Sequence, residues 1–309
     1  MNREKILEVV RETGFYKWLK KKYFETDIRD YNQVLLDKNQ TDQYIKELLL
    51  SDQPIMIARI GSTELRILHD YYYKKRYSKH NRYTIKVSSG MFPVDDENLD
   101  RFAKLNFERI ANIDLLGIWF NPFEDVIANE FCPNAKLTKL RNLEPYFSND
   151  PWSYYLKGKK ILVIHPFVSS IKLQYAKRKD LFADKNILPD FQLLTYKPVQ
   201  SFAGMSKGLN EYSSWFEALE SMENDISKID FDIAIVAAGA YGLPLASYIK
   251  EMGKKSIHLA GATQMLFGVY GSRWEKNPDF EKFINQHWIK PMEKEKPKNA
   301  ELLGKSSYW

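Results

Sequence analysis

The sequence predicts an α/β fold: a Rossmann-like, mostly parallel sheet with helices on both faces, plus a helical N-terminal extension. Three observations predict it. Short continuous apolar runs recur at 55–59, 115–119, 161–164, 232–236 and 256–259, a length and texture that suit strands covered on both faces. Segments with helical spacing separate most of them, so strand and helix alternate. Most of these runs end in glycine, proline or hydroxyl residues, as strand-to-helix junctions do.

Taken in order, residues 3–22 read as a helix, with Ile6, Val9, Val10, Phe15 and Leu19 near helical spacing. A second helix is expected from Thr41 to Leu50, capped by Thr41 and Asp42. Strand 55–59 leads to a helix from about Thr63 to Lys75. A strand at Tyr83–Val87 is followed by a helix from Asp96 to about Ala111 and a strand at 115–119. The stretch 120–151 reads as irregular, with turn signals at Pro122, Pro133 and Pro151. Strand 161–164, a helix to about Arg178, a strand at Phe191–Thr195 and a helix near Trp215–Ile226 come next. Strand 232–236 then opens into a helix started by Pro244 and closed by Gly253, and strand 256–259 ends the alternation. The expected division is a helical extension at 1–50, a Rossmann-like catalytic domain at 51–289 and an extended tail at 290–309. The closing pair Tyr308-Trp309 is expected to dock on the core.

Composition narrows the function classes. With 309 residues, 44% hydrophobic and 28% charged, the chain is an ordinary globular one. Its net charge of +6 suits anionic substrates or a membrane surface and is too weak to argue for nucleic acid. One cysteine, Cys132, excludes an intramolecular disulfide and a cysteine-based zinc cluster. No signal peptide is read at the N-terminus, so the expectation is a cytoplasmic protein. No apolar stretch approaches the roughly 20 residues of a spanning helix. The basic aromatic run from Lys17 to Phe24 suits peripheral contact with the inner face of an anionic membrane; its alternative role is a solvated face with inward aromatics.

Ligands of an open parallel sheet bind beyond the carboxyl ends of its strands, and four segments place chemistry there. The first is Arg59-Ile60-Gly61-Ser62-Thr63-Glu64, a strand end opening into a helix N-terminus, where free N–H groups and the helix dipole favour an anion. Arg59 would hold a phosphate there, and Glu64 a cation or hydroxyl; the structural alternative is an Arg–Glu ion pair with a hydroxyl cap. The second is His165, with Ser169 and Ser170 where the next helix begins: His165 suits phosphate contact or acid/base work, and the structural alternative for the serines is capping. The third is Gly239-Ala240-Tyr241-Gly242, whose glycines admit a close ligand and whose Tyr241 would stack on a base or sugar. The fourth is Gly261-Ala262-Thr263-Gln264, with Thr263 and Gln264 as sugar hydrogen-bonders. Neither a GxGxxG nor a Walker spacing is present, and there is no Gly-x-Ser-x-Gly elbow.

The Arg59–Glu64 segment resembles the Arg-x-Gly-Asp-x-Glu signature of the GT-D-type bacterial glycosyltransferases. The stretches 156–167 and 232–268 and the closing Tyr-Trp are similar to GT-D-like proteins of surface-polysaccharide synthesis. The resemblance spans residues 50–309. It implies a Rossmann-like enzyme that transfers a sugar from a nucleotide-diphosphate sugar to a glycan or lipid-linked acceptor. It carries Arg59, Gly61 and Glu64 onto the donor site, and Glu64 onto the Mn²⁺ or Mg²⁺ site; Ser62 and Thr63 between them are further donor-site candidates. One departure stands out: Ser62 occupies the position of the family's Asp, and a hydroxyl is a poor substitute for a carboxylate at a hard cation. The resemblance therefore implies weak or absent metal dependence. The rival expectations are a non-catalytic partner in a polysaccharide assembly complex and another nucleotide-binding transferase or hydrolase.

Overall fold

A computed structural model describes residues 30–74, 76–201, 211–275, 277–296 and 308–309. Seven strands form one sheet: β1 (Ile55–Arg59), β2 (Leu115–Ile118), β3 (Lys136–Lys139), β4 (Lys160–Ile164), β5 (Gln192–Tyr196), β6 (Ile233–Val236) and β7 (Lys255–His258). Their order is β3-β2-β1-β7-β6-β4-β5, and every neighbouring pair is parallel. The helices are α1 (Lys38–Leu50), α2 (Ser62–His69), α3 (Lys79–Thr84), α4 (Asp96–Ile110), α5 (Val168–Ala176), α6 (Trp215–Ser227), α7 (Gly242–Glu251) and α8 (Ala262–Leu266), with shorter turns between them. The α/β class and the helices on both faces are as the sequence predicts. The helix expected at 3–22 and its basic aromatic run lie outside the described residues. Among those described, no helix is long and apolar enough to cross a membrane.

The apolar strands are continuous because each alternates between two buried faces. Met56, Ala58, Leu162, Ile164, Ala234 and Val236 point to one face, against α2, α4, α6 and α7. Ile55, Ile57, Ile161, Val163, Ile235 and Ile257 point to the other, against α1, α5 and the α8 region. Full burial of each such side chain contributes roughly 1.5–3 kcal/mol, so neither face tolerates a polar register slip.

Three local expectations are corrected. The run Tyr83–Val87 is not a strand: it lies in α3 and the wide turn Ile85–Ser89. Ser78 caps α3 by accepting from Asn81 N, and a short apolar run does not by itself separate strand from helix. The irregular stretch 120–151 contains β3, an edge strand with only Leu137 and Thr138 buried between two exposed lysines, too short to show a pattern. The helix expected from Thr41 starts earlier, at Lys38, with Asp37 and Gln40 forming a reciprocal capping box. Thr41 instead pairs with Thr138 Oγ1 at 2.6 Å, tying α1 to β3, and Asp42 pairs with Lys38.

Topology fixes where a ligand can sit. The chain leaves β1 into α2 on one face, whereas it leaves the neighbouring β7 toward Met265 and Leu266 on the other. Adjacent parallel strands whose exits diverge leave a crevice at their carboxyl ends. The tail is not simply extended: it forms a turn at Glu293–Glu295, and Tyr308-Trp309 docks beside this crevice.

Candidate functional site

The crevice is built first by β1. Arg59 is its last residue, and the guanidinium lies 4.4 Å over the Trp119 ring. Trp119 is fixed in turn, because its indole N–H donates to Ile60 O at 3.1 Å and its backbone N–H to the Glu124 carboxylate at 3.1 Å. Burial works against the Arg59 charge, and the nearby Glu64, Tyr308 and Glu124 oppose that effect.

Gly61 is the residue before α2, and no side chain caps that helix. The Glu64 carboxylate folds back against Gly61, into space that a Cβ there would share. Thr63 Oγ1 donates to Glu64 Oε2 at 2.7 Å and pairs with Ser89 Oγ at 2.5 Å, so Thr63 orients Glu64 rather than facing a ligand alone. Ser62 opens the helix at its first turn.

β6 and β7 complete the wall. Gly239 has φ +54° and sits where a Cβ would come within 2.9 Å of Ser89 O, so conformation and space both demand glycine. Gly242 packs against the His258 ring so closely that a Cβ would overlap it. Arg59, Gly61, Glu64, Asn106, Gly239 and His258 are among the residues lining the resulting cavity of about 10 Å³. That is room for about one water, so a larger ligand would lie on the rim and send one group inward.

His258 is the residue that sequence reasoning missed. It is 3% exposed, and its ring faces the Arg59 backbone without either nitrogen completing a hydrogen bond. Burial and the Arg59 charge push its pKa down to about 3, leaving it neutral near pH 7. The signal was available: His258 ends β7 as Arg59 ends β1. Trp119 and Tyr308 were also missed as site residues, because only the fold brings them to this edge.

Several sequence candidates have other duties. His165 is 2% exposed, its Nδ1 accepts from Phe167 N at 2.9 Å, and burial pushes its pKa down to about 3; it is a neutral ring bracing the turn after β4 and does not line the cavity. Ser169 and Ser170 begin α5, but their N–H groups donate to the Glu295 carboxylate at 2.7 and 3.1 Å, and Ser170 Oγ also donates to it at 2.5 Å. That helix N-terminus is filled by the protein's own tail. Tyr241 is 1% exposed and stacks on Trp215 at 4.9 Å, with its hydroxyl on Ser201; it is a core ring, not a base platform. Thr263 and Gln264 are fully buried. Gln264 Nε2 donates to Tyr308 O at 2.9 Å, so it holds the closing pair. Gly261 admits the Tyr308 ring, which a Cβ would strike.

The fit to a divalent cation is poor. Among the described residues no group of three or more His, Cys, Asp or Glu side chains is placed to hold a metal ion. At the motif, Glu64 stands as the carboxylate beside the hydroxyls of Ser62 and Thr63, a donor set ill suited to Mg²⁺ or Mn²⁺.

No known family model matches the chain, and no solved structure matches it. Among curated proteins it is similar to a lysine-specific histone demethylase 1B homolog from Caenorhabditis elegans, 27% identical over 151 residues. That match covers 45% of this chain and 17% of the other protein. A likeness that small and partial establishes no shared family and transfers no residue role.

Proposed function

We propose that this chain is a glycosyltransferase that moves a sugar from a nucleotide-diphosphate donor to a glycan or lipid-linked acceptor in bacterial surface-polysaccharide synthesis. It would work in the cytoplasm, at the inner face of the membrane. The observation that carries the reading is Arg59: a half-buried guanidinium stacked on Trp119 at the crevice beside a helix N-terminus without a side-chain cap. Such a pairing favours a phosphate group, and the motif around it is the one that resembles the GT-D signature.

In this reading Arg59 and the first N–H groups of α2 stabilise the leaving diphosphate, which is where charge develops. Glu64, oriented by Thr63, accepts a proton or hydrogen bond from the acceptor hydroxyl or the ribose. His258 is neutral and offers an N–H or a lone pair to a group reaching the cavity floor. No step is routed through a metal ion, because the described donor set does not suit one.

The test is release of nucleoside diphosphate from a panel of UDP-, GDP-, and dTDP-sugars with glycan and lipid-linked acceptors. Turnover by the unaltered chain and its loss in Arg59→Ala and Glu64→Ala is the expected result. Turnover that survives both substitutions would remove the motif from the mechanism. The small cavity and Ser62 favour one second reading, a non-catalytic partner in the assembly complex; a folded chain with no affinity for any nucleotide sugar would support it.

A further inference from the structure

We infer that Asn106, His258 and Glu64 together read one hydroxyl group, so that the small cavity beside Arg59 selects ligands that place a single sugar hydroxyl in it. The inference rests on the donor-site reading above for the ligand, a nucleotide sugar, and adds Asn106 and a selectivity which that reading does not contain.

Asn106 is the out-of-place residue. The buried stripe of α4 is Leu99, Phe102, Ala103, Asn106 and Ile110, the spacing of one helix face. An apolar side chain at the fourth position would pack there with no polar group to satisfy. Asn106 is 1% exposed, and its Nδ2 donates to Phe102 O, one turn back, at 2.9 Å. The amide nitrogen is thus satisfied within its own helix. That leaves Oδ1, an acceptor, on a residue that lines the cavity. A buried acceptor without a donor is unfavourable, so the position suits a guest that donates.

The same cavity is lined by Glu64 and His258. Glu64 Oε2 accepts from Thr63 Oγ1, and an ionised carboxylate has further lone pairs to offer. His258 is 3% exposed, and neither ring nitrogen completes a hydrogen bond. Its Nε2 edge lies against Gly242 in the first turn of α7, where the missing Cβ makes room for the ring. A neutral imidazole carries one N–H donor and one lone pair.

The balance of donors and acceptors identifies the guest. Asn106 Oδ1 and Glu64 accept, and His258 supplies a donor. A phosphate oxygen only accepts, so it would face two acceptors. A hydroxyl donates once and accepts as well, so it can give its proton to Asn106 or Glu64 and receive the His258 N–H. Size agrees: about 10 Å³ holds about one water-sized oxygen. Charge recognition stays with the Arg59 guanidinium, stacked on Trp119, and with the N–H groups of α2. Charge and hydroxyl are therefore read by different groups of one crevice.

The experiment is calorimetric titration of the full chain with UDP-glucose, UDP-galactose and GDP-mannose, each beside analogues that lack one ribose hydroxyl or one hexose hydroxyl. The unaltered protein and Asn106→Leu are compared, and sugar transfer is measured on the same preparations. Leucine keeps the approximate shape of asparagine and completes the apolar stripe. The unaltered chain should bind one deoxy analogue about tenfold more weakly than its parent, because the missing hydroxyl strands buried acceptors. Whether that analogue lacks a ribose or a hexose hydroxyl names the group that enters the cavity. In Asn106→Leu the ratio should shrink toward unity, since variant and analogue remove the same interaction. A merely structural role for Asn106 would weaken parent and analogue alike. Equal binding of parent and every analogue by the unaltered chain overturns the inference and leaves the cavity to water. A ratio that Asn106→Leu leaves unchanged overturns it too. Hydroxyl-selective binding without sugar transfer keeps the inference and removes the transferase. Transfer without hydroxyl selectivity does the reverse, and no binding of any parent compound overturns both.

Discussion

Two helix N-termini on the same edge of the sheet share a local design and differ in what fills them. After β1, Arg59 and Gly61 lead into α2, whose first turn has no side-chain cap. After β4, His165 leads into α5, whose Ser169 and Ser170 N–H groups are taken by Glu295, 126 and 125 residues away. Each junction reads as an anion site from sequence, since each offers free N–H groups at the positive end of a helix. At the first, no side chain hydrogen-bonds the N–H groups, and the Glu64 carboxylate rests against Gly61. At the second, the anion is intramolecular and the role is structural.

The largest effect that would break this comparison is functional. Arg59→Ala should lower kcat/KM for sugar transfer by roughly 10²–10³, the scale of losing a charge stabiliser in the transition state. Ser170→Ala should leave kcat/KM unchanged. Steady-state kinetics on both variants decides it, and equal losses at the two junctions would erase the distinction.

A stability measurement sharpens the other half. Glu295 is 6% exposed, and Glu295→Ala orphans the N–H groups of Ser169 and Ser170. Urea unfolding should show a loss of about 2 kcal/mol, in the range for a lost cap with buried donors left unpaired. A change within 0.5 kcal/mol, about that of an ordinary surface substitution, would mean that water replaces the carboxylate freely.

The two strand-end histidines, His165 and His258, extend the comparison to pH. Both fall to about 3 in the folded protein, below the ordinary value of about 6.5. The unfolded chain therefore binds protons first as pH drops, and the stability contributed by the neutral rings is present above about pH 6.5 and lost progressively toward pH 3. Each histidine should contribute a slope of up to about 1.4 kcal/mol per pH unit in that window. His258→Asn should remove roughly half of the combined slope between pH 6.5 and 5, measured by urea unfolding at each pH. An unchanged slope would place the His258 titration elsewhere. Since both rings stay neutral, anion binding at the crevice should vary little between pH 6 and 8.

Most of the sheet was legible because each buried strand announces itself as an apolar run. Ile161-Leu162-Val163-Ile164 and Ile233-Ala234-Ile235-Val236 are short, rich in β-branched residues and bounded by turn signals, which favours strand over helix. The miss at β3 has a physical cause: an edge strand with two buried positions carries too little pattern. The miss at Tyr83–Val87 has another, because its β-branched residues pack from helical backbone. The site was half legible. Arg59, Gly61, Glu64, Gly239 and Gly242 could be placed from strand-end chemistry. Tyr241, Ser169 and Ser170 could not be separated from true ligands, since their engagement depends on Trp215 and Glu295, remote in sequence. Tyr308 becomes a site residue only through tail docking.

The smallest expected effect tests the departure from the metal motif. Ser62→Asp puts a carboxylate in the first turn of α2, which favours the helix dipole by about 0.5 kcal/mol. The melting temperature should rise slightly in EDTA, and further with Mn²⁺, as Glu64 gains a partner. No added response to Mn²⁺ would show that this crevice lacks the geometry for a cation whatever stands at position 62.

The most direct test of the central claim is a thermal-shift comparison of the unaltered chain and Arg59→Ala, with UDP-, GDP-, CMP- and dTDP-sugars in EDTA. A ligand that binds only the folded state raises the melting temperature by mass action. The account predicts a rise with one nucleotide class, present without metal and lost in Arg59→Ala. No rise with any nucleotide sugar, or an equal rise in both proteins, would contradict it.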